Sequence, residues 1–399
     1  MMSKLSIVIV VPLFCSLLAV MTLVCSCGGG GGGGGAASWA KSYGGAGTEE
    51  AYSIQQTSDG GYIMAGYAIP TGNSDFWVLK LNSGSAISWQ KTYGDAGNDD
   101  AYSIQQTSDG GYIVAGETKS FSDANGDAWV LKLNSNGTVE WQKSYGGVGD
   151  EDYAYSIQQT SDGGYIVAGD TLSFGAGGCD AWVFKLDSDG TIDWQKAYGG
   201  ADWDRARSIQ ETSDGYIVAG DTTSFGSGDY DFWVLKLNST GTVTWQKVYG
   251  GGGADNAHSI QQTSDGGYIV AGWASSFGAG GYDFWVLKLN SDGTVDWQKA
   301  YGGTNWDFAY SIQQTSDGGY IVAGDTKSFG DVNGDVWVLK LNSDGSVAWE
   351  KTYSDGDVDV AHSIQQTSDG RYILAGHTDS FGAGWSDFWV LKLNSNGTS

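Results

Sequence analysis

Proline, histidine and cysteine are scarce in this sequence, and so is positive charge. Only Pro12 and Pro70 occur in 399 residues, so breaks in regular structure fall to glycine, of which there are 65. Of four cysteines, Cys15, Cys25 and Cys27 sit at the extreme N-terminus and Cys179 alone remains for a folded region. That excludes a disulfide framework, and the core has to come from apolar burial, for which 18 Trp, 22 Tyr and 13 Phe suffice. Twenty Lys and Arg face 46 Asp and Glu, a net charge of −26. Fourteen of the seventeen lysines recur at two fixed positions of a repeat. No basic patch is left over, which excludes nucleic acid as a partner; the acidic surface reads as a solubility device, with a cation-binding role as the alternative. Helix-period hydrophobicity is absent, and the one long apolar run, Leu5 to Val24, lies at the N-terminus.

That run follows a single positive charge, Lys4, as in an export signal; a short membrane anchor is the alternative. Val24-Cys25-Ser26-Cys27 resembles the bacterial lipobox, with small Ser26 before Cys27. The resemblance implies a lipoprotein signal peptide at 1–26, lipidation at Cys27 and a membrane partner through that anchor. Gly28 to Gly35 is a run of eight glycines, a flexible tether. The expected organisation is therefore signal peptide 1–26, lipidated cysteine and tether 27–36, and a folded domain 37–399. Gly28 after the lipidated cysteine resembles lipoproteins passed to the outer membrane, so the expected location is exported, on the outer membrane or cell surface.

Seven near-copies of one segment fill the rest, headed by Trp39, Trp89, Trp141, Trp194, Trp245, Trp297 and Trp349 at spacings of 50 to 53 residues. The outline is W-x-K-x-Y-G-G, A-x-S-I-Q-Q-T-S-D-G-G-Y-I-V-A-G, then D-F-W-V-L-K-L-N-S-D-G-T. A fixed period of this size signals a solenoid, a propeller or an array. Each copy holds four strand-like runs, in the first Ser53 to Thr57, Tyr62 to Gly66, Phe76 to Leu81 and Ile87 to Tyr93, with Asp-Gly or Gly-Gly hairpin chemistry between the paired runs. The second and third runs are apolar on both faces, so each sheet needs neighbours on both sides, which radial stacking supplies. The more polar S-I-Q-Q-T suits an innermost strand whose edge is hydrated by a central channel. The pattern starts on a fourth strand at Trp39 and stops after a third strand, Asp387 to Leu393. The expected fold is all-β, a seven-bladed propeller of four-stranded antiparallel blades, closed by the N-terminal strand completing the last blade.

From D-F-W-V-L-K-L-N-S-D-G through W-x-K-x-Y-G-G to Y-I-V-A-G, the repeat resembles the bacterial β-propeller repeat labelled SBBP, within the quinoprotein-like and kelch-like superfamily. The resemblance spans Trp39 to Thr398 and implies fold and export rather than an activity.

Differences between the copies bear on function. The hairpin turns T-S-D-G-G and N-S-D-G-T are nearly uniform, whereas the connections on the opposite face vary. The residue opening the innermost strand is Tyr52, Tyr102, Tyr155, Arg207, His258, Tyr310 or His362, and the residue after A-G is Tyr67, Glu117, Asp170, Asp221, Trp273, Asp325 or His377. Two tryptophans per copy belong to the blades, which leaves Trp203, Trp273, Trp306 and Trp385, all on the variable face. Aromatics beside carboxylates suit stacking on sugar rings or an apolar anchor of a protein partner. The candidate ligand-binding residues are Trp203, Trp273, Trp306, Trp385, Tyr67, Arg207, His258, His362 and His377. The leading expectation is a monomeric, non-catalytic scaffold for a protein or glycan; the alternatives are a polysaccharide hydrolase using Glu117, Asp170, Asp221 or Asp325, and a plain structural spacer.

Other chemistry is thin. Asp75, Asp127, Asp180, Asp231, Asp283, Asp335 and Asp387 precede the third strand in every copy, a repetition that points to a structural bond with loop backbone. Asp123, Asn125 and Asp127, and likewise Asp331, Asn333 and Asp335, place oxygens at alternate positions as calcium loops begin, but lack the later Gly and Glu. Calcium is thus a secondary expectation, and no other cofactor is implied. The three histidines show no metal-ligand spacing along the chain, and no G-x-S-x-G surrounds a serine near them.

Overall fold

A computed structural model describes residues 38–70, 72–122, 125–331, 333–354 and 356–399. The signal peptide, Cys27, the glycine tether and Asp123 lie outside the described residues. Within them the chain forms twenty-eight β-strands and no helix, arranged as seven four-stranded antiparallel sheets. The first complete blade is β2 (Thr48–Gln56), β3 (Tyr62–Ile69), β4 (Asp75–Leu81) and β5 (Ile87–Tyr93), in that spatial order. The ring closes as expected: β1 (Trp39–Tyr43) pairs with β28 (Asp387–Leu393), Trp39 opposite Lys392 and Tyr43 opposite Phe388, to complete the blade begun by β26 (Asp359–Gln366) and β27 (Tyr372–Thr378).

The apolar clusters lie between blades. Ile63, Ala65, Phe76 and Val78 of the first blade pack on Ile104, Val114, Trp129 and Leu131 of the second, all buried, with Phe76 and Trp129 ring centroids 4.6 Å apart. Equivalent contacts recur around the disc and include the seam, where Ile54 and Trp77 pack against Ile373, Phe388 and Val390. Burial on both faces explains the apolar second and third runs.

Polar repeat residues are consumed by the scaffold. The innermost edge is not left to water: the backbone N–H of Ile54 donates to Ser363 Oγ (3.3 Å) and that of Gln56 to Gln365 Oε1 (2.8 Å). The same two bonds link every blade to its predecessor. The expectation of a hydrated edge is thereby corrected, because side chains of S-I-Q-Q satisfy the donors. On the hairpin face the third-strand lysine reaches the first turn, as in Lys80 Nζ to Asp59 at 2.9 Å, in all seven blades. Fourth-strand tyrosines donate to the next blade's second turn, Tyr93 to Gly137 O at 2.7 Å for one. Gly137 has φ +75°, and a Cβ there would lie 2.8 Å from the Trp89 ring. The aspartate before the third strand binds loop backbone: Ala176 N–H donates to Asp180 Oδ2 at 2.8 Å and Ser227 N–H to Asp231 Oδ2 at 2.8 Å.

Candidate functional site

Innermost strands start earlier than the sequence reading placed them, so residues such as Glu49 and Glu50 belong to β2 rather than to a loop. Each carries a bulge one residue before its serine: register shifts between Ala51 and Ser53, leaving Tyr52 unpaired, and recurs in all seven blades. The backbone beside the bulge crowds the facing A-G glycine so closely that a Cβ on Gly66 would lie 1.8 Å from Glu50 O. That is why A-G is fixed and why the bulged residue differs freely, since a bulge re-aims a side chain out of the ladder.

The seven bulged residues meet as a ring. Centroids lie 5.5 Å apart for Tyr52 and Tyr102, 5.4 Å for Tyr102 and Tyr155, 5.2 Å for His258 and Tyr310, 5.1 Å for Tyr310 and His362, and 4.8 Å for His362 and Tyr52. The Arg207 guanidinium lies 5.4 Å from the Tyr155 ring. The residues after A-G bond inward to this ring. Arg207 Nε donates to Asp221 Oδ1 at 2.9 Å, Trp273 Nε1 donates to His258 Nε2 at 3.2 Å, and the Tyr155 hydroxyl donates to Asp170 Oδ2 at 3.4 Å. Arg205 lies 3.6 Å from Asp170 Oδ2 and 3.8 Å from Asp221 Oδ2. Burial, with the Arg207 charge adding, holds His258 well below the usual imidazole range, consistent with its Nε2 accepting a bond.

The four carboxylates of the hydrolase reading are buried in this second circle. Burial, with Asp100 adding, pushes Glu117 up to about 7, and burial pushes Asp325 up to about 7. Burial outweighs the Arg207 charge at Asp170, which rises to about 6. Asp170 and Asp221 face the two arginines instead of an open cleft.

Of the four surplus tryptophans three are exposed: Trp203 (44%), Trp306 (50%) and Trp385 (83%). Trp273 is not; it turns inward to His258 and packs on Tyr282 (4.7 Å) and Phe308 (5.4 Å). Trp306 stands over the same cluster, 6.0 Å from Tyr282 and 6.4 Å from Phe308, with Lys327 Nζ 5.4 Å from its ring. Trp203 and Tyr230 bracket the Arg205 guanidinium, each at 5.3 Å. Trp385 sits at the seam, its backbone N–H donating to Gly47 O at 2.9 Å. Tyr67 packs beside Tyr52 at 6.0 Å. Arg207, His258 and His362 lie at the channel ring, deeper than a loop-face position suggested, and His377 lies in the circle around them.

In the second calcium-like loop, Asn333 Nδ2 donates to Gly356 O at 3.0 Å, and Asp335 Oδ2 accepts from Asp331 N–H at 2.8 Å. In the first, Asn125 Nδ2 donates to Gly149 O. The asparagine side chains of both loops thus bind neighbouring backbone. The histidines, in contrast, do form a potential metal group: Glu50, His362 and His377 each offer a ligand atom, all within 4.8 Å of one another. This corrects the view that they offer no cluster, since Glu50 joins the other two only through ring closure. Sequence reasoning also missed the buried Asp99, Asp152, Asp204, Asp255, Asp307 and Asp359 that open the innermost strands. Asp204 Oδ2 accepts from Gly200 N–H at 2.8 Å and from Ser224 Oγ at 2.6 Å. Their identity in six copies, with Glu49 in the other, was the available signal.

Fold and repeat together define a β-propeller repeat protein. Residues 263–296 and 367–399 match the family described as a domain of unknown function (DUF5122) β-propeller. No curated protein matches the chain. Among solved structures it is similar to the Neurospora crassa Pan2 WD40 domain at 11% identity, covering 88% of this chain and 91% of that one with TM-score 0.55. It is also similar to the Chaetomium thermophilum Sqt1 bound to the N-terminus of the ribosomal protein L10, at 12% identity, 88% and 98% coverage and TM-score 0.50. These likenesses establish the fold.

Proposed function

We propose that this protein is a non-catalytic propeller, anchored at the cell surface through Cys27, that binds a protein or glycan partner on the face of its variable blade connections. The observation carrying this reading is the aromatic platform of Trp306, Tyr282 and Phe308, half exposed at Trp306 and flanked by Lys327. Such a cluster offers apolar ring surface to a sugar ring or an apolar side chain, with the Lys327 ammonium against the Trp306 ring. Exposed Trp385 extends the same face at the seam. The buried state of Glu117, Asp170, Asp221 and Asp325 weighs against acid-base hydrolysis, which needs two carboxyl groups flanking a bound glycoside. Export and the lipid anchor rest on the leader sequence, and the SBBP likeness on the repeat motifs.

Glycan-array screening and pulldown from the surface fraction of the source cells test the reading, with the wild type beside Trp306→Ala and Trp385→Ala. Binding that weakens at least tenfold in either variant supports it. Wild-type binding in both variants, or no specific ligand in either screen, overturns it.

A further inference from the structure

We propose that Glu50, His362 and His377 form a site for one divalent transition-metal ion, zinc in the first instance, at the seam between the first and last blades. His377 Nδ1 lies 3.8 Å from Glu50 Oε2, and one ligand atom from each of the three residues falls within 4.8 Å of the others. Tetrahedral ligation at zinc–nitrogen and zinc–oxygen lengths places donors about 3.4 Å apart, so small side-chain rotations bring these atoms onto a common ion. His362 Nε2 and His377 Nδ1 are both buried and without a hydrogen-bond partner. A single Glu–His contact accounts for one of these nitrogens and leaves the other orphaned, whereas a shared cation accounts for both.

The surroundings fit a built site. The Tyr52 hydroxyl donates to Glu50 Oε2 at 2.9 Å, which orients the carboxylate as outer partners of metal ligands do. His362 is held between Tyr52 (4.8 Å) and Tyr310 (5.1 Å). The combination occurs once in seven copies. Only the last blade has histidine at both the bulge and the position after A-G, and Glu50 comes from the neighbouring blade. The remaining histidine is unavailable, because Trp273 occupies His258 Nε2. Two imidazoles and one carboxylate select a first-row transition ion over calcium or magnesium, which take oxygen ligands. Side-chain exposures of 21% at Glu50 and 14% at His377 leave solvent a path to the ion. Three protein ligands leave a position open to water or to a donor atom of a bound partner.

The site is independent of the partner reading above and is tested with metal alone. Full-length protein is stripped with chelator and titrated with Zn2+ by calorimetry and with Co2+ by visible absorption. The expected result is one ion per chain, with a Co2+ spectrum of low-symmetry four- or five-coordination. His377→Ala and Glu50→Gln are each expected to weaken binding by more than about 100-fold, beyond what loss of an outer partner costs. Asp189→Asn, on the opposite face, and Trp385→Ala are expected to bind as wild type, so the metal site and the partner face can fail separately. Circular dichroism of the stripped proteins reads folding; should His377→Ala not fold, Glu50→Gln decides. Absence of saturable binding, or wild-type affinity in the folded ligand variants, overturns the proposal.

Discussion

Arg207 is the one bulged residue carrying a permanent charge, and its replacement isolates the energetics of the central ring. Its Nε lies 2.9 Å from Asp221 Oδ1, and Asp221 is fully buried. The other cation near Asp221 is Arg205, at 3.8 Å and shared with Asp170. Arg207→Met keeps the volume and the contact with Tyr155 but strands a buried carboxylate. Removing one partner of a buried pair costs about 3–4 kcal/mol, chiefly through the charge left behind. For a folded region of roughly 360 residues that corresponds to a fall in Tm of about 4–5 °C. Arg207→Met/Asp221→Asn removes the stranded charge and is expected to recover at least half the loss. Denaturant unfolding and differential scanning calorimetry on the wild type, both single variants and the double variant close the cycle. A loss below about 1 kcal/mol in Arg207→Met, or a double variant as unstable as the sum of the singles, refutes the view that this pair is energetically buried.

The carboxyl groups predict a stability maximum on the acid side of neutrality. Burial raises Glu117 and Asp325 to about 7 and Asp170 to about 6, and burial with Asp99 raises Asp75 to about 6. Groups raised in the folded state contribute fully below their unfolded pKa, near 4, and lose that contribution as pH rises through 6 to 7. The turn aspartates behave oppositely: despite some desolvation, bonds from Thr57 and Lys80 hold Asp59 at about 2, and Asp109, Asp162, Asp265, Asp317 and Asp369 likewise sit at about 2. Their contribution is present above about 4 and fades as pH falls toward 2. Tm measured from pH 2 to 8 is expected to peak near pH 4 to 5, and a steady rise up to pH 8 contradicts the assignment. A second expectation concerns Ser85, which has φ +63° where the other turns have glycine. Ser85→Gly is expected to gain about 0.5–1 kcal/mol by relieving the left-handed backbone, while Gly137→Ser loses stability against the Trp89 ring; equal Tm values for both variants and the wild type count against this.

The fold was legible because every blade repeats the same local signals. Two-faced apolar runs such as Tyr165–Ala168, bounded by Asp-Gly turns, specify paired strands that need neighbours on both sides. The clasp was legible from phase, since β1 supplies the fourth strand that β28 lacks. The bulge at Tyr52 was not, because an extra residue in a ladder leaves no periodic trace and shows only in the fixed Ala and Gly around it. Trp273 was misplaced because nothing along the chain marks whether a side chain after A-G turns outward or inward, and its bond to His258 shows that it turns inward. The Glu50, His362 and His377 group was hidden by distance along the chain. Glu50 and His362 are 312 residues apart, and ring closure alone makes them neighbours.

Symmetry and closure together explain where chemistry is free to arise in this molecule. A polar group repeated seven times has a repeated partner: the inner serines and glutamines bind the next blade's backbone, the third-strand lysines bind turn aspartates, and the fourth-strand tyrosines bind turn carbonyls. Those groups are spent on holding the ring and cannot vary singly without leaving a buried donor or acceptor unpaired. The bulged residues are under no such constraint, because the bulge takes them out of the ladder, and side chains after A-G turn to meet them. They pair differently from blade to blade, as arginine with aspartate, histidine with tryptophan or tyrosine with aspartate, and two imidazole nitrogens at the seam accept or donate no hydrogen bond. At the seam these two nitrogens lie beside the Glu50 carboxylate, and that pairing of unbonded imidazole nitrogens with an anionic oxygen makes it the point on this face where a cation has most to gain.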